Sequence, residues 1–333
     1  MRTESNSVPN LPRRQILVTA LVSIILLACA PAIASASAFQ PPAGKIFTGE
    51  TGDPVSSYTT AAGKSPAVFQ IFAAWGEYLP AIFADAARAH ARLMLHITTA
   101  FGSREAITPG QIARGDGDAW LIALNHAAYQ SGLVVYVRLM AEMDGYWNPY
   151  CAFNADGTSR GPDHSAAAYK RAFKRVALIM RGGSLAHIDA VLHRLGMPPL
   201  HASGDLDRPA VAMAWVPQTA GDPAVPGNQP AAYFPGRNWV DWVGTDFYGK
   251  FPNFAGLNSF YAAYPGYPFL FGEYALWGAD DPGFIDQLFG WIGSHPRTQM
   301  LVYNQVGGPF QLWRYPRAAR ALRAHLAGAQ FLG

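Results

Sequence analysis

Two glutamates, Glu142 and Glu273, each end a strongly apolar segment of the chain. Glu142 follows residues 134–141, VVYVRLMA, and Glu273 follows residues 268–272, PFLFG. Such runs predict strands that are buried on both faces, where a carboxyl group costs free energy unless it is paired, hydrogen-bonded or used in chemistry. Two such carboxyls can hydrolyse a glycosidic bond, because one protonates the leaving oxygen while the other attacks the anomeric carbon or activates a water.

The alternation of side chains along a strand predicts which residues accompany the two glutamates. Arg138 and Glu142 should share one face of their strand, and Phe269, Phe271 and Glu273 should share one face of theirs. If both faces point into the mouth of a closed barrel, the two carboxyls converge. A neighbouring cation such as Arg138 would keep one carboxyl ionised, and apolar surroundings would raise the pKa of the other.

Short segments rich in β-branched and aromatic residues alternate with longer helical patterns, which is typical of a parallel sheet built from βα units. The predicted strands are Lys45–Thr48, Val68–Ala73, Arg92–Thr98, Val134–Glu142, Ala210–Val216, Val240–Phe247, Phe269–Tyr274 and Gln299–Gln305. The predicted helices include Leu79–Ala89, Asp118–Ser131, Ser165–Met180, Pro282–Ile292 and Arg317–Leu326. These units predict an α/β fold, a (β/α)8 TIM barrel, in which catalytic residues lie at the C-terminal ends of the strands.

Motifs of several other chemistries are missing from the sequence. No glycine-rich phosphate loop follows the first predicted strand, which argues against a nucleotide-binding open sheet. No G-x-S-x-G esterase motif is present, and the histidines lack the spacing of zinc ligands. Without the N-terminal segment Cys151 is the sole cysteine, which excludes an intramolecular disulfide and a cysteine-based metal site. We therefore expect neither a metal nor a cofactor.

The N-terminus has the pattern of an export signal. Arg13 and Arg14 precede an apolar run from Ile16 to Cys29, and small residues follow at positions 34–38. We predict a signal peptide at 1–38, a single catalytic domain at 39–333, and export to the periplasm or the extracellular space. The run is short for a membrane span, so the mature chain should have no transmembrane segment. A twin-arginine signal and a lipid anchor at Cys29 are alternatives to plain secretion.

The charge balance excludes several kinds of partner. Removal of residues 1–38 would leave a net charge of about +1, which provides no basic surface for nucleic acid or an anionic membrane. A neutral polysaccharide or oligosaccharide fits this balance, and the chain contains 9 Trp, 15 Tyr and 19 Phe, whose rings can stack on sugars as well as fill a core. We expect a monomer.

Three segments resemble glycoside hydrolase family 26, the β-mannanase family of the retaining TIM-barrel glycosidases. Residues 138–147, RLMAEMDGYW, resemble its acid/base motif, which reads Arg, three residues, Glu-Met-Asn-Gly, one residue, Trp. Residues 233–236 and 240–248, YFPG and VDWVGTDFY, resemble its sixth-strand signature, and residues 271–275, FGEYA, resemble its nucleophile strand. The matches occur in family order, on the strands predicted independently.

The resemblance implies a role for each matched residue. Glu142 would be the acid/base, Glu273 the nucleophile, Tyr248 the hydroxyl that orients the nucleophile, and Arg138 a supporting cation. Asp246 or Asp241 would provide the carboxylate if these roles were assigned wrongly.

Further residues near the strand ends are candidates for binding substrate. Trp147 and Trp277 lie just beyond the two glutamates and are placed to form sugar-stacking platforms. His96 ends the third strand and is placed, with Gln70 and Trp75 of the second, to contact sugar hydroxyls or ring faces. A purely structural histidine is the alternative for His96.

Two positions differ from typical mannanases of the family. Ala141 stands where they have His, and Asp144 where they have Asn. The family resemblance makes mannan the first candidate substrate. These two differences leave β-glucan, xylan or an exopolysaccharide of the producing cell as alternatives. An alternative from another class is a non-catalytic carbohydrate-binding barrel.

Overall fold

The computed structural model describes Met1 and residues 38–52, 55–101 and 104–333. The predicted signal peptide and the possible anchor at Cys29 lie outside these residues, apart from Met1 and Ala38. Within the described part of the chain, no helix combines the length and the apolar character needed to cross a bilayer.

Eight parallel strands form a closed barrel, which confirms the predicted fold class. They are β1 Ile46–Thr51, β2 Val68–Ala74, β3 Arg92–Thr98, β4 Val135–Leu139, β5 Val211–Trp215, β6 Trp242–Tyr248, β7 Phe269–Ala275 and β8 Thr298–Asn304. Each strand pairs with the next, and β8 closes the ring on β1, with Val302 opposite Gly49. Phe331–Leu332 adds a short parallel strand beside β1.

Helices surround the barrel between the strands. They are α1 Val55–Ala62, α2 Leu79–Arg88, α3 Pro109–Arg114, α4 Asp118–Ser131, α5 Ala166–Arg181, α6 Leu185–Arg194, α7 Pro230–Tyr233, α8 Phe254–Ala263, α9 Pro282–Ser294 and α10 Pro316–Leu326. Side chains before several of them accept backbone hydrogen bonds at the first turn, such as Ser165 from the Ala168 N–H (3.1 Å) and Asp281 from the Phe284 N–H (3.2 Å).

The core has two layers, one inside the barrel and one between strands and helices. Phe47, Val68, Met94, Tyr136, Ala212, Ala214, Trp242, Leu270, Met300 and Val302 belong to the inner layer. Phe269 and Phe271 lie in the outer layer, where their rings pack against Trp291 of α9 at 6.0 and 5.6 Å between centroids. The predicted common face of Phe269, Phe271 and Glu273 is therefore wrong, because Glu273 points into the barrel.

An irregularity in β7 explains this change of face. Thr245 of β6 lies opposite Phe271, but the next residue, Asp246, lies opposite Glu273. The extra residue is Gly272, and such a bulge interrupts the alternation and redirects the side chains that follow it. Glu273 is thereby turned towards the barrel interior beside Asp246.

Candidate active site

Glu142 reaches the barrel mouth through an unusual backbone conformation. β4 ends at Leu139, and the φ angles of Met140 and Glu142 are 46° and 50°, in the left-handed region that residues with a side chain seldom adopt. The Met140 N–H donates to the Ile97 carbonyl (2.8 Å) and the Glu142 N–H to the Val216 carbonyl (2.7 Å). These bonds hold a conformation of the kind that clusters at functional sites.

The carboxyl of Glu273 is held by four donors from four other strands. Arg138 and Gln70 (3.4 Å) donate to Oε1, while Tyr248 and Asn304 (2.8 Å) donate to Oε2. The residue is only 6% exposed. Its orientation is therefore fixed by the barrel itself and does not depend on a mobile loop.

Arg138 is a buried cation between two carboxylates. Its guanidinium, 1% exposed, pairs with Glu273 through Nη1 and with Asp246 through Nη2. Burial alone would lower the pKa of Arg138, but the charges of Asp246 and Glu273 outweigh it and raise that pKa. A Cβ on Gly272 would come within 2.8 Å of both Arg138 Nε and Asp246 Oδ1, so the absence of a side chain there makes room for the ion pair.

His96 supports this network from β3. Its Nδ1 lies 3.2 Å from Arg138 Nη1 and 3.9 Å from Glu273 Oε1. Burial, and then the charge of Arg138, hold the pKa of His96 well below its usual value, so the ring is neutral and Nδ1 accepts from Arg138. The same imidazole packs against Phe72 at 5.1 Å between centroids.

The surroundings of Glu142 differ from those of Glu273. Its carboxyl oxygen Oε2 accepts a hydrogen bond from Trp147 Nε1 (3.0 Å). Burial, and next the charge of Glu273, raise the pKa of Glu142, and Arg138 and Trp147 only partly oppose this rise. Glu142 thus retains a proton more readily than a free glutamate, which suits a general acid beside an oriented carboxylate.

An aromatic cleft of about 660 Å³ is lined by Glu142 and by Asp246 and Tyr248, two neighbours of the buried Glu273. Its aromatic lining consists of Tyr146 and Trp147 together with Phe247, Tyr248, Phe251, Trp277 and Phe310. Trp147 is half exposed, and the Trp277 ring contacts Tyr248 and Phe310 at 5.7 and 5.1 Å between centroids. Lys250 places its ammonium 4.7 Å from the Trp277 centroid. The cleft has the flat apolar surfaces on which sugar rings stack.

Trp75 does not reach this cleft. It is 7% exposed, and its ring packs on Trp120 of α4 at 4.8 Å between centroids. Gly117 approaches so closely that a Cβ there would lie 2.3 Å from the Trp75 ring. The expected sugar contact by Trp75 is therefore replaced by a packing role between β2 and α4.

Asn304 and four aromatic residues of the cleft were not predicted from the sequence as site residues. Asn304 ends β8 and donates to Glu273 Oε2 (2.8 Å) and to the Tyr248 hydroxyl (3.0 Å). Asn304 is a polar residue at the end of a predicted strand, which is the same signal that indicates Glu142. The other four carry no comparable signal: Tyr146 and Phe251 lie in loops, Phe247 lies within β6, and Phe310 ends a short 3-10 helix.

Asp144 forms part of the loop behind Glu142 and is fully buried. Its Oδ1 accepts from the Gln218 N–H (2.9 Å), while Oδ2 has no hydrogen-bond partner among the described residues. Burial raises the pKa of Asp144 to about 8, although the bond from Gln218 opposes this rise. At neutral pH this side chain is mostly protonated.

We expect Asp144→Asn to stabilise the fold above neutral pH. The unfolded carboxyl loses its proton near pH 4 and the folded one near pH 8, so the free energy of unfolding falls as the pH rises between these values. Asparagine cannot ionise, so the variant should gain about 1–3 kcal/mol at pH 8 and little at pH 4. Urea unfolding at both pH values measures this difference. Asp116→Asn, in an exposed turn, is the control, and an equal gain at pH 4 would contradict the explanation.

Comparison with known proteins adds a likeness of fold. The chain matches no model of a known protein family, and no curated protein is similar to it in sequence. Among solved structures, a Bacillus subtilis mannanase, BCman, is 14% identical over 88% of each chain, with a TM-score of 0.56. GH26A from Muricauda sp. is 16% identical over 86% of this chain and 91% of that one, with a TM-score of 0.56.

A GH26 β-mannanase from Bacteroides ovatus is 16% identical over 87% of this chain and 90% of its own, with a TM-score of 0.53. These alignments cover nearly all of the barrel, so they concern its whole architecture. The chain therefore has the (β/α)8 fold of solved GH26 β-mannanases.

Proposed function

We propose that this protein is a retaining glycoside hydrolase of the GH26 type that cleaves an internal linkage of a β-1,4-linked polysaccharide. The observation that carries the proposal is that the carboxyls of Glu142 and Glu273 interact electrostatically and have different hydrogen-bond partners. Burial and the charge of Glu273 raise the pKa of Glu142, while Glu273 lies against Arg138. The family resemblance and the shared fold support the same assignment of roles.

In the first step the carboxylate of Glu273 attacks the anomeric carbon. Glu142 donates its proton to the leaving glycosidic oxygen, and a glycosyl ester on Glu273 forms as the C–O bond to the leaving sugar breaks. Tyr248 and Asn304 hold one oxygen of Glu273 in place during this attack. Arg138 remains positively charged beside Asp246 and Glu273 during this step.

In the second step water replaces the leaving sugar. Glu142, now ionised, takes a proton from that water, whose oxygen attacks the anomeric carbon and releases Glu273 as a carboxylate. The two inversions restore the original configuration, so the product is the β-anomer. Trp147, on the Glu142 side of the cleft, and Trp277, beside Tyr248, supply the stacking surfaces for the sugars on either side of the cleaved bond.

Mannan is the first substrate we propose, because the solved neighbours are named as β-mannanases. Ala141 gives no support for mannan over the other candidate polysaccharides. Its side chain is buried, and its carbonyl accepts from the Tyr150 hydroxyl (2.7 Å), so it presents no polar group to a sugar. β-Glucan, xylan and an exopolysaccharide of the producing cell are therefore included in the test. We also propose export through residues 1–38 and a monomeric state.

Assays of the purified protein on mannan, mixed-linkage glucan, xylan and the cell's own exopolysaccharide test this function. We expect shortening of at least one polymer, and proton NMR should show the β-anomer forming before mutarotation. An initial α-anomer would contradict the retaining mechanism. Binding to a polymer without cleavage of any would favour the non-catalytic barrel.

We expect Tyr248→Phe to lower kcat about 10- to 100-fold and to leave the fold intact. The hydroxyl donates to Glu273 Oε2 and accepts from Asn304 (3.0 Å), so its loss leaves the nucleophile less firmly oriented. Steady-state kinetics on the active polymer measure the effect. Tyr136→Phe is the matched control, because it also removes a hydroxyl inside the barrel, but that hydroxyl donates to the Phe39 carbonyl (2.8 Å). Equal losses in both variants would contradict a specific role for Tyr248.

A further inference from the structure

Arg160 lies after a small hairpin and reaches back to the loop that carries Trp147. Its Nη1 donates to the carbonyls of Asn148 (2.6 Å) and Pro149 (3.1 Å), and its Nη2 donates to the carbonyl of Tyr146. The carbonyls on both sides of Trp147 are thus bound by one guanidinium. Such a planar fork with several donors loses little freedom for each bond that it makes.

The hairpin holds the backbone of Arg160 in place. Phe153 pairs with Ser159, and the Arg160 N–H donates to the Ala152 carbonyl (2.9 Å). The third guanidinium nitrogen, Nε, donates to Asn154 Oδ1 (3.0 Å). Nε therefore holds the guanidinium to the hairpin, while Nη1 and Nη2 bind the loop of Trp147.

The indole of Trp147 joins this loop to the catalytic acid. Its Nε1 donates to Glu142 Oε2 (3.0 Å), and it lies so close to Gly145 that a Cβ there would come within 2.6 Å of the ring. The ring is nevertheless half exposed, because it forms part of the cleft wall. Its place depends on the backbone on either side of it, which Arg160 holds.

We propose that Arg160 is a positioning residue. By binding the loop that carries Trp147, it places the indole both for its hydrogen bond to Glu142 and for stacking on a sugar. This inference rests on the proposed function, because it assigns a task to the same site. Arg160 acts through the loop, and its own bonds go to backbone carbonyls and Asn154.

The pH dependence of Glu142 reports on this arrangement. The charged or titratable groups around its carboxyl are Arg138 of β4, Glu273 of β7, Asp246 and Tyr248 of β6, and Asp144, Tyr150 and Asp222 of the neighbouring loops. Burial raises the pKa of Glu142, and the bond from Trp147 lowers it. Loosening that bond raises the pKa further, so the general acid keeps its proton to higher pH.

The test compares Arg160→Gln and Arg160→Lys with the wild type. We expect the alkaline limb of kcat/KM to move to higher pH in Arg160→Gln, with the acidic limb unchanged, and KM to rise about three- to tenfold as stacking weakens. Arg160→Lys retains the charge but lacks the fork, so it should lie between wild type and Arg160→Gln. Arg171→Gln is the control, because Arg171 also binds two loop carbonyls, those of Leu195 (3.1 Å) and Gly196 (2.7 Å).

A second measurement keeps the inference separate from the proposed function. Carbon-13 NMR of labelled glutamate carboxyls follows the titration of Glu142, assigned from the signal lost in Glu142→Gln, without any need for turnover. A higher Glu142 pKa in Arg160→Gln supports the positioning role even if no polymer is cleaved, an outcome that would overturn only the proposed function. An unchanged Glu142 titration in folded Arg160→Gln and Arg160→Lys would overturn the inference, whether or not the enzyme is active.

Discussion

Glu273→Ala should reduce hydrolysis of the active polymer on the order of 10⁴-fold or more. The variant lacks the carboxylate that attacks the anomeric carbon. Asp246, the other carboxylate paired with Arg138, could replace it only by breaking that ion pair. The fold should survive, because Arg138 keeps its pair with Asp246. Initial rates measured on the polymer, with circular dichroism as a check of folding, test this expectation.

Added azide should distinguish the role of Glu273 from mere damage to the site. Azide is small enough to occupy the space left by the carboxyl, and attack from that side yields an α-glycosyl azide when the substrate has a good leaving group. The control is Asp241→Ala. Asp241 accepts from Arg181 (2.9 Å) and from the Met213 N–H (2.7 Å), just before β6 begins, at the end of the barrel away from the cleft. Substantial activity in Glu273→Ala, or a loss as severe in Asp241→Ala, would contradict the assignment.

The barrel could be predicted from the sequence because its signals are local. Most strands contain a short apolar run that the pattern of residues identifies, whereas β1, IFTGET, is largely polar and extends beyond the predicted Lys45–Thr48. The helix over Asp118–Ser131 ends at the predicted residue because Gly132 stops it. Helices α1, α3, α6, α7 and α8 were not among the predicted ones. α8, FAGLNSFYAA, has apolar residues on several sides and therefore lacks the single stripe on which helix prediction depends.

The site could be predicted only in part, because its geometry depends on departures from regular structure. Alternation in β7 would have turned Glu273 the same way as Phe271, and only the bulge at Gly272 turns it inward. Glu142 lies beyond the end of β4, where a left-handed φ of 50° sets its direction. Neither a register shift nor a φ angle can be derived from residue spacing alone.

The network around Arg138 explains why two similar carboxyls can take different roles. Arg138 lies against Glu273 and Asp246, whereas Glu142 receives its direct hydrogen bond from the neutral indole of Trp147. Removal of one member of a buried charged group leaves the others uncompensated, so the members of this cluster depend on one another. The two glutamates thus differ in their charged neighbours because they lie at the ends of different strands.

Glu142→Ala should reduce hydrolysis of the polymer about 10²- to 10⁴-fold, with a loss that depends on the leaving group. A sugar hydroxyl leaves slowly without a proton, so cleavage of the polymer needs the acid. A dinitrophenolate leaves without one, so the first step on a dinitrophenyl β-glycoside should stay fast and its glycosyl-enzyme should accumulate. A burst of dinitrophenol followed by slow turnover is the expected result in stopped-flow measurements.

The products formed with azide distinguish the roles of the two glutamates. In Glu142→Ala it replaces the water of the second step and attacks the glycosyl-enzyme, so the product should be the β-glycosyl azide, opposite in configuration to that expected from Glu273→Ala. The alkaline limb of kcat/KM, which reports the raised pKa of Glu142, should also disappear in this variant. The same anomer of the azide from both variants would show that the two carboxyls do not act on opposite faces of the sugar, and the double-displacement mechanism would then be wrong.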